Sequence, residues 1–214
     1  MVKVKICGVT REEDLCAAVQ AGADAVGFVV GVNESPRNLS LGETRKLIRR
    51  LPKNVDSVAV TIFNGLERIV EISQKLAPSF MQLHGMAPSV VGMVKQAADT
   101  KIILAVDSRA PVTPDNLVTH SASIDALLVD TWGPGGLGGT GCTHDWSLSR
   151  KIRDAIYPVP MILAGGLTPE NVSHAIRAVR PYGVDVSTGV EARPGVKDPV
   201  KISEFVRKAK EVQI

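Results

Sequence analysis

The 214-residue sequence predicts a (β/α)8 barrel, one domain over residues 1–214, with a phosphate site after its seventh and eighth strands. Three observations carry that expectation. Short apolar runs alternate with amphipathic stretches at about 27 residues per unit, enough for parallel strands joined by crossover helices. The core is aliphatic: 44% of residues are hydrophobic but only 4% aromatic, which suits the Val, Ile, Leu and Ala of buried parallel strands. The last two apolar runs, Met161 to Ala164 and Val184 to Val186, each open into small residues that can bring backbone N–H groups to an anion.

In chain order, Val2 to Ile6 reads as the first strand, and Thr10 as the cap of a helix carrying Leu15, Ala18, Val19 and Ala21 and closed by Gly22. Ala25 to Val30 is the second strand, followed by a long polar loop to Ser40 and a helix from about Leu41 to Leu51. Val55 to Phe63 is the third, with Leu66, Ile69, Val70 and Ile72 facing inward on its helix. Ser79 to Leu83 is the fourth, ending at His84, with a helix from about Pro88 to Ala98. Lys101 to Val106 is the fifth, after which Asp115 to Thr119 holds a turn or two of helix. Asp125 to Val129 is the sixth, ending at Asp130. Five glycines in residues 135–141 then make a backbone-rich loop that suits a lid over a site. Gly165 and Gly166 precede a helix expected to start at Thr168-Pro169-Glu170. Ser187, Thr188 and Gly189 repeat that arrangement one unit later, and Ile202, Phe205, Val206 and Ala209 give the last helix its buried face.

The net charge of +3 is close to balance, and the basic residues are scattered, so no nucleic-acid footprint is present. Arg45-Lys46 with Arg49-Arg50 reads as a solvated helix face. Three cysteines, Cys7, Cys16 and Cys142, lack metal-ligand or disulfide spacing and imply a reducing compartment. Cys16 reads as a small buried thiol. No run approaches a membrane span, so the expected setting is cytoplasmic; the anion-binding loops point to a phosphorylated small molecule as partner, and the cysteine spacing indicates no zinc site. The sequence leaves monomer and homodimer open.

Reactive groups of a barrel stand at the carboxyl ends of its strands. Cys7 ends the first strand, where helix N-termini would lower its pKa from about 8.5; the alternative is a small buried thiol. Asp130 ends an apolar strand, so its carboxyl is expected to titrate high and to serve as a general acid; alternatively it caps local N–H groups. Arg37 can hold a substrate carboxylate or be a solvated charge. His84 is a mouth residue or a structural histidine. Asp185 alternates with Val184 and Val186 and so points into the barrel, while Asp107 lies past its strand as a contact candidate.

Lys5-Ile6-Cys7-Gly8-Val9-Thr10, Gly22-Ala23-Asp24 with Gly27-Phe28-Val29, Ser35-Pro36-Arg37, Gln82-Leu83-His84-Gly85, Gly138-Gly139-Thr140-Gly141, Leu163-Ala164-Gly165-Gly166-Leu167 and Gly183-Val184-Asp185-Val186-Ser187 together resemble the phosphoribosylanthranilate isomerases of tryptophan biosynthesis. The likeness runs from residue 3 to about 206. It implies a cofactor-free Amadori rearrangement of N-(5-phosphoribosyl)anthranilate, with Asp130 as general acid and Cys7 as general base. Arg37 would hold the anthranilate carboxylate, His84 and Asp185 would contact substrate, and Gly165, Gly166, Ser187, Thr188 and Gly189 would bind phosphate. The chain departs from the family pattern at Thr188, where a second serine is usual. It also reads Cys142-Thr143-His144-Asp145-Trp146 in place of Lys-Thr-Phe-Asp-Trp, and Thr61-Ile62-Phe63-Asn64 in place of Val-Phe-Val-Asn.

Two rivals remain at this level. The related isomerase of histidine biosynthesis performs the same rearrangement on a two-phosphate substrate, but typically has aspartate where Cys7 stands and needs a second phosphate site, for which no glycine pair is found near the third and fourth strands. A barrel that binds a sugar phosphate without turning it over is the other.

Overall fold

The computed structural model describes residues 1–108, 114–131 and 143–213. The strands are β1 (Lys3–Ile6), β2 (Ala25–Val30), the two-residue β3 (Asn38–Leu39), β4 (Asp56–Ile62), β5 (Phe80–His84), β6 (Lys101–Asp107), β7 (Ala126–Asp130), β8 (Met161–Leu163) and β9 (Gly183–Val186). All pair in parallel, and β1 bonds to both β9 and β2, which closes eight of them into a ring while β3 lies beside the end of β2. The eight helices among the described residues, α1 (Glu12–Ala21), α2 (Leu41–Ile48), α3 (Leu66–Leu76), α4 (Val91–Ala98), α5 (Pro114–His120), α6 (Trp146–Ile156), α7 (Val172–Val179) and α8 (Pro199–Lys210), alternate with the barrel strands. This is the (β/α)8 barrel expected from the sequence.

Alternation along each strand divides the core in two. Val4, Ile6, Met81, Leu83, Leu127, Val129, Val184 and Val186 belong to the larger cluster between strands and helices. Cys7, Val58, Val60, Ile103, Ala105, Ala126 and Leu128 form a smaller cluster inside the ring. The same parity therefore turns Lys5 and Cys7, Gln82 and His84, Asp130, and Asp185 toward the barrel axis.

Local signals explain most helix ends. Ser40 and Glu43 form a reciprocal capping box at the start of α2, Asp198 accepts from the Val200 and Lys201 N–H groups at the start of α8, and Gly22 ends α1 with φ of 88°. Several sequence expectations are corrected. Thr10 does not cap α1: its hydroxyl donates to the Gly195 carbonyl at 2.6 Å, and Arg11 stands at the N-cap without a side-chain capping bond, its guanidinium donating to Asp14 instead. Cys16 is exposed, because Asp14, Leu15 and Ala18 take the buried face of α1. Helix α2 stops at Ile48, short of Leu51. The helix expected at Thr168 begins at Val172, since Asn171 closes a turn first by accepting from the Thr168 N–H and donating to the Gly166 carbonyl. Ser187 to Gly189 lead only into one 3-10 turn, and an antiparallel hairpin, β10 (Glu191–Arg193) with β11 (Val196–Lys197), intervenes before α8. Asp107 closes β6 in register with Asp130. The glycine-rich loop read as a lid, Gly138 to Gly141 within it, and Cys142 lie outside the described residues.

The predicted buried face of α8 is present: Ile202, Phe205, Val206 and Ala209 are buried where the helix packs against α1 and α7. Phe205→Ala is expected to lower stability by about 3–5 kcal/mol, read as a lower urea midpoint with an unchanged slope.

Candidate active site

Two cavities meet at the carboxyl ends of the strands. The larger, about 140 Å³, has Val29, Val32, Pro36, Val60 and Ile62 as apolar walls and Cys7, Arg37 and His84 among its polar groups. The smaller, about 100 Å³, is lined by Gly165, Gly166, Leu167, Thr168, Thr188 and Gly189. Asp130, Asp185 and Ser187 line both and stand where they join. The ten residues given a catalytic, substrate or phosphate role in the sequence thus line one two-lobed mouth, whereas the contact candidate Asp107 is among neither lining.

Asp130 is there because β7 ends on its inward phase. Burial, then the charge of Asp185, push its carboxyl up to about 7, although the Thr131 N–H donates to it at 2.7 Å and Lys5 pulls the other way. The carboxyl is thus held high while it also receives a local N–H. Cys7 departs from expectation. Burial drives its thiol above the usual value; Lys5 and Lys197 oppose that shift and Asp185 adds to it. Strand burial, rather than a helix N-terminus, sets its environment. His84 is buried and hydrogen-bonded to Gln82 at 2.9 Å, and burial holds its pKa near 4, so the ring is neutral at pH 7.

The described structure adds three charged residues that the sequence reading passed over. Lys5 Nζ donates to Asp185 Oδ1 at 2.8 Å inside the ring, in the register that makes the two residues neighbours across β1 and β9. Burial opposes the ammonium, but Asp185 and Cys7 outweigh it and raise its pKa. Arg37 does not stand free: its Nε and Nη2 each donate at 2.7 Å to the two oxygens of Glu191, and Nη2 reaches Thr188 Oγ1 at 3.4 Å. Lys197, fully buried, donates to Glu191 at 3.1 Å and to the Ser187 carbonyl at 3.0 Å. Glu191 therefore fixes the guanidinium at one lobe and the lysine behind the other. Lys5 could have been found by parity, two residues before Cys7; Glu191 and Lys197 could not, because the hairpin that carries them has no strong pattern.

The two glycine-bearing loops lie in backbone contact. A Cβ on Gly189 would sit 1.9 Å from the Leu167 carbonyl oxygen, so only glycine permits this approach. Gly165 and Gly166 take φ of 83° and 62°, which turns the chain under the smaller lobe. Among the described residues no group of three or more His, Cys, Asp or Glu could hold a metal ion, and no helix is long and apolar enough to cross a membrane.

The closed parallel barrel, with its polar groups gathered in a two-lobed cavity at the carboxyl ends of the strands, defines a (β/α)8-barrel protein with a small-molecule site at its mouth. The family model for N-(5'-phosphoribosyl)anthranilate isomerase matches residues 4–208, and the chain belongs to that family. It is 46% identical over 214 residues to the N-(5'-phosphoribosyl)anthranilate isomerase of Methanothrix thermoacetophila, covering 100% of both chains. Its fold matches a dimeric phosphoribosylanthranilate isomerase from Thermotoga maritima, solved as monomers, with TM-score 0.83, 35% identity and coverage of 99% of this chain and 100% of that one. It matches a phosphoribosylanthranilate isomerase in complex with reduced 1-(o-carboxyphenylamino)-1-deoxyribulose 5-phosphate with TM-score 0.80, 35% identity and the same coverage.

The elevated Asp130 carboxyl has a consequence for stability. Its folded value near 7 exceeds the unfolded value of about 3.9, so the native state holds a proton that the unfolded chain has released. Stability therefore falls as pH rises from about 4 to about 7. Asp130→Asn is expected to be more stable than the wild type by about 1–3 kcal/mol at pH 8 and equal to it at pH 3.5. Denaturation at the two pH values measures this; equal stability at pH 8 would show that the carboxyl is not held high.

Proposed function

We propose that this chain catalyses the Amadori rearrangement of N-(5-phosphoribosyl)anthranilate to 1-(2-carboxyphenylamino)-1-deoxyribulose 5-phosphate in tryptophan biosynthesis, with Asp130 as general acid and Cys7 as general base. The observation that carries it is the mouth itself: a carboxyl titrating near 7 stands between an apolar lobe with a fixed arginine and a glycine-lined lobe, and a thiol shares the apolar lobe. The substrate has the matching parts in the same order: an aromatic carboxylate, a furanose and a phosphate.

Asp130 gives its proton to the ring oxygen as the C1′–O bond breaks, leaving a protonated Schiff base. Cys7 then takes the C2′ proton, and the electron pair of that C–H bond neutralises the iminium as an enolamine. Tautomerisation, with O–H lost at C2′ and C–H gained at C1′, gives the ketone. A carboxyl near 7 is half-protonated at neutral pH, which suits donation. The iminium acidifies the C2′ proton, so a thiol raised by burial can still serve once deprotonated. Arg37, clamped by Glu191 through Nε and Nη2, keeps Nη1 for the anthranilate carboxylate. The loops at Gly165-Gly166 and Ser187-Thr188-Gly189 take the phosphate, His84 and Asp185 border the ring, and no cofactor enters the scheme.

The test follows the fluorescence loss of freshly made phosphoribosylanthranilate. The wild type is expected to consume it, Cys7→Ser and Asp130→Asn to lose about 10²–10⁴ in kcat with KM little changed, and an inactive wild type would overturn the reading. Arg37→Met is expected instead to raise KM by roughly 10–100-fold, the value of one charge-assisted contact.

A further inference from the structure

Lys5 has no part in the rearrangement as described, yet its charge bears on both the base and the acid. It precedes Cys7 by two residues on β1, so both side chains point along the same face into the ring. Its Nζ lies 2.8 Å from Asp185 Oδ1, with only 4% and 9% of the two side chains exposed. Across from it β2 contributes Gly27. A Cβ at that glycine would meet Cys7 Sγ at 2.9 Å and both Cε and Nζ of Lys5 at 3.1 Å, so sulfur and ammonium converge over the bare α-carbon.

The charges around the sulfur do not cancel without it. Lys5, Arg37 and Lys197 are the cations, and Asp185 and Glu191 are the carboxylates paired with them. His84, facing from β5, is neutral at pH 7. Three cations thus face two carboxylates around the sulfur, while Asp107, in register with Asp130 at the end of β6, adds a third carboxylate on the acid's side of the mouth. In the scheme above the negative charge starts on sulfur and, after one proton has been given and one taken, ends on the Asp130 carboxylate.

We propose that Lys5, aimed by Asp185 and given room by Gly27, is the counter-ion of the Cys7 thiolate, a positioning residue that makes the base available while Asp130 keeps its proton. The chemistry rests on the Amadori reading, but the state of the sulfur can be measured without substrate.

The experiment is the pH dependence of iodoacetamide alkylation at Cys7, resolved by peptide mass spectrometry so that Cys16 and Cys142 are scored separately. Lys5→Met alone would strand Asp185, so the informative variant is Lys5→Met with Asp185→Asn, which removes both charges. Gly27→Ala pushes sulfur and ammonium apart while keeping every charge. Both are expected to move the Cys7 alkylation midpoint up by a pH unit or more, about tenfold slower reaction at pH 7, and Lys5→Arg to keep it within half a unit of the wild type. In turnover the double variant should lose at least tenfold in kcat. An unchanged midpoint in the double variant, with a wild-type melting temperature, overturns the proposal; should that variant not fold, an unchanged midpoint in Gly27→Ala does so. A wild type inactive on phosphoribosylanthranilate would sink the Amadori reading and leave the alkylation result to decide the counter-ion by itself.

Discussion

A closed ring of parallel strands leaves an interior in which only every second residue of each strand can stand. That constraint governs this molecule. On β1 it turns Val4 and Ile6 to the helices and Lys5 and Cys7 to the axis; on β9 it turns Val184 and Val186 out and Asp185 in. The lower part of the interior is filled by Val58, Ile103, Ala126 and Leu128, so polar inward residues gather toward the carboxyl ends, where the ring opens. A one-residue slip in β1 would bury Lys5 among helix-facing aliphatics and carry Cys7 away from the mouth.

Burying five charges at one end of a small barrel costs stability unless each is paired. Here the pairing is made by chain segments far apart in sequence. Lys5 and Asp185 are joined by strand register, whereas Arg37, Glu191 and Lys197 need the loop after β2 and the β10–β11 hairpin to pack together. The fit is close: a Cβ on Gly195 in the hairpin would meet the Pro36 carbonyl at 2.7 Å, and Thr10 from the loop after β1 also bonds the hairpin backbone. Three loops are thereby tied into one rim. An arginine held at two points by a carboxylate loses little further entropy when a substrate carboxylate arrives, which is the benefit of preorganisation.

How much could be read without coordinates follows from the range of each interaction. Strand and helix positions rest on local periodicity, and the eight units were legible to within a few residues. Asp185 was legible as an inward residue, and Asp130 as a strand-end carboxyl, because their strands are short and strongly apolar. Helix starts were less so: at Thr168 the sequence offers an N-cap and a proline, yet the Asn171 side chain satisfies the turn first and delays α7. The direction of the Cys7 shift was misread for a physical reason. A helix N-terminus acts only within a single turn, and desolvation inside the ring is the larger influence. Glu191 and Lys197 were illegible because their role exists only across a separation of 154 residues from Arg37 to Glu191.

The order of events at the mouth follows from the same burial that raises both proton-bearing groups. Desolvation penalises a charged carboxyl and a charged thiol alike, so the empty site resists holding both as anions, and the neighbouring cations favour one negative charge over none. In the proposed scheme a proton on Asp130 would supply the acid for the ring oxygen and leave Cys7 as the base for C2′, and a proton on Cys7 would mark the product state. The transfer changes which atom is charged without changing the total, and so requires little rearrangement of Lys5, Asp185, Arg37, Glu191 and Lys197. Groups that need not move during the reaction can be rigid, and rigid, oppositely charged groups are what a barrel interior built from strand ends supplies.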